Sequence, residues 1–128
     1  MYRPTHSRNV RYQSCAFWGL PIQCADASVY SPVLTGVIMP EGVDADAVRK
    51  LIYERFDLSL GTGLGKIKGR MFRIGHLGDC NDLALMAALS GCEMGLKLAG
   101  VKLAGSGVQA AMDYFAAHAA PVALRQAA

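Results

Sequence analysis

The hydrophobic pattern of this chain changes period repeatedly, and each change marks an element. From Val33 to Ile38 the run VLTGVI is rich in strand formers and lies between Pro32 and Pro40. As a strand it puts Val33, Thr35 and Val37 on one face and Leu34, Gly36 and Ile38 on the other, and Gly36 calls for a bulge or a closely packed neighbour. Asp44 then stands where a helix N-cap belongs. Val48, Leu51, Ile52 and Phe56 follow at helical spacing, with Arg49, Lys50, Glu54 and Arg55 around the other side, so a helix is expected over about 45–56. Leu58 to Leu60 reads as an extended piece, and a further strand is expected over 70–76. A second helix opens at GDCND with Asp79 or Asn81 as its cap. It carries Leu85, Leu89, Cys92 and Leu96 as an apolar stripe, while Gly91 and Gly95, one turn apart, admit a close neighbour. Ser106 and Gln109 have capping-box spacing. They introduce a third helix with Val108, Ala111, Met112 and Phe115 on its core face, ending before Pro121.

This order of elements predicts an α+β fold: a small antiparallel or mixed sheet of about three strands covered by three helices. Residues 1–17 show no clear period and are expected to form a loosely ordered arm, with Trp18–Cys24 extended or turning around Pro21. The packed domain is expected over 18–121, and 122–128 as a tail.

Composition narrows the classes. The chain has 128 residues, 52% of them apolar and 18% charged, which suits one folded domain with a real core. A net charge of +3 is too small for a dedicated nucleic-acid binder. The Ala/Leu-rich helices suggest apolar surface to hide against a partner. Cys15, Cys24, Cys80 and Cys92 show no C-x-x-C spacing, and His6, His76 and His118 complete no zinc pattern, so no metal site is expected. The cysteines read as reduced thiols of a cytoplasmic protein, with Cys92 in the core. The apolar region from Leu83 to Val101 is broken by Glu93 and Lys97 and does not read as a membrane span.

The candidate chemistry lies in GTGLGKIKGRMFRIGHLGD, residues 61–79. Its glycines do not make a phosphate loop: Gly65-Lys66 is followed by Ile67, and Leu60 stands where a Walker loop needs its first glycine. The dinucleotide fingerprint fails too, since a strand follows where a helix is required. Lys66, Lys68 and Arg70 alternate and would share one strand face, a nucleic-acid stripe or, more plainly, solvated residues. His76 has no carboxylate or cysteine motif beside it and reads as structural. Arg73 differs. Between Phe72 and Ile74 it is too costly to bury unpaired, so it requires an anion, and its fork suits a carboxylate. The residues alone leave open whether that anion is a protein side chain or a ligand.

The stretches WGLPIQCADASVYSPVLTGVIMPEG, FDLSLGTGLGKIKGRMFRIGHLGDCNDL and GSGVQAAMDY carry a resemblance. From Trp18 to about Pro121 the chain resembles the C-terminal domain of serine–glyoxylate aminotransferases. These are class V pyridoxal-phosphate enzymes with the aspartate-aminotransferase type of fold. The resemblance implies the small C-terminal domain of that fold and assigns one residue. In the family the arginine of R-I-G-x-L-G binds the substrate α-carboxylate, and the matching run here is Arg73-Ile74-Gly75-His76-Leu77-Gly78.

It also implies what this stretch lacks. The family's Schiff-base lysine and phosphate-binding groups belong to the large domain, and Lys50, Lys66, Lys68, Lys97 and Lys102 match none of their contexts. The resemblance therefore implies pyridoxal phosphate in a complete enzyme, no cofactor and no catalytic residue in this chain, and inactivity alone. The expected partners are an amino- or keto-acid carboxylate at Arg73 and either a large cofactor domain or a second copy of the chain. A non-catalytic interaction module is the alternative, and a basic nucleic-acid module a weaker one.

Overall fold

The computed structural model describes residues 4–29, 31, 34–75, 81–119 and 123. The first element contradicts the expected arm. Residues Pro4–Trp18 form a helix, α1, that is part of the core: Val10, Arg11, Cys15 and Trp18 are fully buried. Pro4 opens the helix, where a missing N–H costs nothing. Gly19 ends it at φ 76°, with Gly19 N–H donating to the Ala16 carbonyl and Leu20 N–H to the Cys15 carbonyl. That pair of bonds is a Schellman stop. The packed unit thus begins within the stretch expected to be loose, because Trp18 and Ser14 find hydrogen-bond partners on the third and fourth helices, Glu93 and Gly107, far away in sequence. The expected tail lies outside the described residues except for Ala123.

The strands are β1 (Leu34–Ile38), β2 (Gly61–Thr62) and β3 (Met71–Gly75), in the spatial order β1-β3-β2 with both pairings antiparallel. The central strand is thus the last in sequence. Burial along β1 alternates as the pleat requires, and Thr35, Val37, Phe72 and Ile74 are buried together on one face, while Met71 is buried on the other. Val37, Phe72 and Ile74 join the main apolar core with Trp18, Ile52, Leu85, Leu89, Cys92 and Leu96.

Helix α2 (Ala45–Phe56) starts at Asp44, whose carboxylate accepts from Asp46 N–H, and ends at Asp57 in the left-handed region, φ 54°. Helix α3 (Asp82–Leu98) is capped by Asn81, which accepts from Ala84 N–H at 2.8 Å. Its stripe of Leu85, Leu89, Cys92 and Leu96 is buried as the spacing requires. Both of its glycines receive a neighbour: a Cβ at Gly91 would meet Leu58 at 2.8 Å, and one at Gly95 would collide with Ile52.

Helix α4 (Gly107–His118) departs from expectation in two ways. Ser106 caps it, accepting from Gln109 N–H at 3.1 Å, but the Gln109 side chain turns forward to Asp113 at 2.9 Å, leaving half a capping box. Ala110, Ala111 and Tyr114 are buried while Met112 is 51% exposed. The buried face is rotated because α4 packs on α1 as well as on α3. Ser14 Oγ lies 2.8 Å from the Gly107 carbonyl, and a Cβ at Gly107 would stand 2.6 Å from Trp18 Nε1. The fold is therefore α+β as expected, with four α-helices among the described residues where three were anticipated.

Candidate functional site

Arg73 sits at the middle of the middle strand, and its surroundings follow from register. On one side it is paired with Gly36 of β1, on the other with Gly61 of β2. Side chains of paired residues point to the same face, so Arg73 has a glycine at each flank and shares none of the buried face of Phe72 and Ile74. The space over Gly61 is where the arginine lies: a Cβ there would stand 3.1 Å from Arg73 Cβ and 3.2 Å from its Nε. Gly36 is covered instead by the Met71 methyl and the Gln23 side chain. Arg73 is half-buried, and its Nε is buried with no hydrogen-bond partner. Among the described residues no carboxylate forms an ion pair with it.

A short two-residue strand such as β2 needs outside support to hold its register. Asp46 Oδ1, in the first turn of α2, accepts from Thr62 Oγ1 and from Arg49 Nη1, each at 2.9 Å. Arg49 Nε in turn donates to the Leu60 carbonyl at 3.0 Å. The Thr62 hydroxyl first, and then Arg49, hold the Asp46 carboxyl below the ordinary aspartate range, so this clamp stays charged. Through it α2 fixes Gly61 beneath Arg73. On the other flank, Met39 N–H donates to the Arg70 carbonyl at 2.8 Å and Ala45 N–H to the Gly69 carbonyl at 2.9 Å, fixing where β3 begins.

The remaining sequence candidates separate from this place. Lys66 lies in a one-turn helix, Gly65–Ile67, and Lys68 and Arg70 in the turn that follows, so no strand aligns them on a face. The nucleic-acid stripe loses its geometry. All five lysines face solvent. The Cys15 thiol is pushed up to about 12 by burial, against the lowering effect of Arg11, and burial also raises Cys92. Both are protonated core side chains and not nucleophiles. His76, Asp79 and Cys80 lie outside the described residues. Among the described residues no cluster could hold a metal ion, and no helix is long and apolar enough to cross a membrane.

Sequence reasoning missed Gly36, Gly61, Asp46, Arg49 and Thr62 as parts of this site. The glycines were visible, but only cross-strand register makes them neighbours of Arg73.

Comparison with protein-family models finds no match. Among curated proteins, the chain is 46% identical over 103 residues to a serine–glyoxylate aminotransferase of Methylorubrum extorquens, covering 80% of this chain and 26% of that protein. It is 41% identical over 102 residues to a serine–glyoxylate aminotransferase of Arabidopsis thaliana, covering 79% of this chain and 25% of the other. The fold superposes on the crystal structure of pyridoxamine–pyruvate aminotransferase from Mesorhizobium loti with a TM-score of 0.83 and 30% identity, over 91% of this chain and 30% of that one. The structural likeness reaches further along the chain than the sequence likeness does. The chain spans about a quarter of the length of the curated relatives it matches.

Proposed function

We propose that this chain, homologous to a quarter-length stretch of the serine–glyoxylate aminotransferases, acts as their C-terminal substrate-carboxylate module. The observation that carries the reading is the state of Arg73. A guanidinium in mid-strand has a glycine on either side, a buried Nε without a partner and no described carboxylate paired with it. An arginine in that state is prepared for an anion that is not part of the fold. The planar fork takes a carboxylate through two parallel hydrogen bonds, fixing both its position and its plane. In a whole enzyme this would orient the acid at the reacting centre.

The module is inactive alone in this reading. The amino-group transfer of a complete enzyme would use pyridoxal phosphate, and the solvent-facing lysines here offer it no seat. A large cofactor domain is the partner, in the cytoplasm. A second reading, a module that self-associates, draws support from exposed Leu83, Met94 and Leu98 along α3, at 78%, 46% and 59% exposure.

The test is a titration of the labelled protein with propionate, followed at the Arg73 Nε–H resonance. The reading expects that resonance to move selectively, together with the Gly36 and Gly61 amides, and expects no such response in Arg73→Lys. Equal, unsaturable shifts at every arginine would contradict it.

A further inference from the structure

Gly61 and Thr62 are the two residues of β2 and belong to opposite faces of the sheet. Gly61 is paired with Arg73 and lies on the outer face, under the guanidinium. Thr62 is paired with Phe72 and lies on the inner face, towards the helices. The arginine can rest where it does because residue 61 has no side chain: a Cβ there would stand 3.1, 3.2 and 3.6 Å from Arg73 Cβ, Nε and Nη2. The same absence leaves Gly61 with nothing of its own to anchor it and with the widest choice of backbone angles. In a two-residue strand at the edge of the described sheet, its place must be set by the residues on either side.

Both sides are tied to α2. Leu60 is buried, and its carbonyl accepts from Arg49 Nε at 3.0 Å. The Thr62 hydroxyl has one proton and two acceptors within reach, Asp46 Oδ1 at 2.9 Å and the Gly63 carbonyl at 3.1 Å. The carboxylate is charged and is the stronger acceptor. Arg49 Nη1 holds the same oxygen at 2.9 Å, so that acceptor is itself fixed. Arg49 thus ties residue 60 and Asp46 ties residue 62, with the glycine between them. Thr62 and Asp46 meet on the inner face, so the sheet stands between them and the guanidinium.

From this arrangement we infer that Thr62 and Asp46 are positioning residues of the Arg73 site, acting through Gly61 and across the sheet. Their hydrogen bond keeps the glycine where the arginine can lie on it, with its fork ready for an anion. When the bond is lost, Gly61 takes other positions and the guanidinium is settled in only a fraction of the molecules. The apparent affinity for an anion falls by that fraction. This role rests on the carboxylate reading of Arg73, and it gives the two residues a part in binding although neither meets the ligand.

Two substitutions at residue 62 set the hydroxyl against the strand. Valine keeps the branched shape and strand preference of threonine without the hydroxyl, while serine keeps the hydroxyl without the branch. A threonine that merely stabilised β2 would give carboxylate affinities in the order Thr, Val, Ser. A positioning hydroxyl reverses the last two. Propionate titrations followed at the Arg73 Nε–H resonance read the order. Thr62→Val should weaken propionate about two- to tenfold, the worth of the hydrogen bond removed, and Thr62→Ser should stay within about twofold of wild type. Asp46→Ala, at a partly exposed position, should weaken propionate at least as much as Thr62→Val. Adding Thr62→Val to it should weaken binding no further, because the two residues act as one unit. If propionate moves Arg73 but Thr62→Val binds as wild type does, Thr62→Ser is the weaker variant, or the two losses add, the positioning role is wrong and the carboxylate site stands. If propionate leaves Arg73 unmoved in the wild-type protein, the carboxylate site itself is wrong, and the role of Thr62 and Asp46 goes with it.

Discussion

Trp18 and Glu93 stand 75 positions apart in the sequence and are joined by a 2.9 Å hydrogen bond from the indole Nε1 to the carboxylate Oε2. The same oxygen accepts from Val108 N–H at 2.9 Å, at the start of α4, and Lys97 lies 3.4 Å from the other oxygen. One buried carboxylate therefore joins the end of α1, the middle of α3 and the positive end of α4. Burial alone would raise its pKa. The indole, the Val108 amide, the Ser106 hydroxyl and Lys97 outweigh that effect and hold it below the ordinary glutamate range.

The sign of the pH dependence follows. A carboxyl whose folded pKa is depressed adds stability above its unfolded value, near 4.5, and loses it as pH falls through the folded value. Glu93→Gln should cost about 1–3 kcal/mol at pH 7, because a neutral amide accepts from Trp18 and Val108 more weakly than a carboxylate does and gives up the pairing with Lys97. The gap between wild type and variant should narrow below pH 4.5. Asp46 and Asp26 titrate low in both proteins and cancel in the difference. Denaturant melts at pH 7 and pH 3 measure it, and a gap that does not narrow at low pH would contradict the assignment.

Helices α2 and α3 approach through a missing side chain. A Cβ at Gly95 would collide with the Ile52 side chain, which is fully buried and has nowhere to move. Gly95→Ala would gain helix propensity in an ordinary setting. Here it should destabilise the fold by about 1–3 kcal/mol through overpacking, and Ile52→Val on that background should restore part of the loss. Melting temperatures of the single and double variants decide whether the two residues are coupled.

Gly61→Ala probes the bed on which Arg73 rests. The added methyl would stand 3.1–3.2 Å from the arginine's Cβ and Nε, so the flexible side chain must shift by a few tenths of an ångström. Stability should change by less than about 1 kcal/mol, as for other substitutions met by a mobile neighbour, while carboxylate affinity falls several-fold. An affinity equal to wild type would show that Arg73 need not lie over Gly61 to bind.

The five lysines lead to a prediction about the cofactor. Since all of them face solvent, pyridoxal phosphate mixed with the chain should wash out on gel filtration, and no transamination should follow. Stoichiometric retention that one lysine substitution removes would contradict this.

Much of the framework was legible. The α3 stripe, the Asp44 and Asn81 caps and the alternation in β1 arise from neighbours in sequence, and each is observed where its pattern placed it. Helix α1 was not foreseen, although Pro4 and Gly19 bracket it with ordinary start and stop signals. Its buried face includes Arg11 and Ser14, polar residues that no apolar period reveals. The displaced core face of α4, with Tyr114 in and Met112 out, has the same origin, since it depends on α1. Arg73 was legible as a residue in need of an anion. The glycines beside it became part of the site only through register, which pairs residue 73 with 36 and 61.

The central claim is that Arg73 serves a ligand and not the fold. Thermal unfolding of wild type and Arg73→Ala, each with and without saturating L-lactate, tests it most directly. The unliganded proteins should lie within about 1 kcal/mol of each other, since no described partner is orphaned. Added acid should raise the wild-type melting temperature in step with RT ln(1 + [L]/Kd) and leave Arg73→Ala unmoved. A loss of about 3–5 kcal/mol in unliganded Arg73→Ala, the signature of a broken buried ion pair, with no response of wild type to the acid, would contradict it.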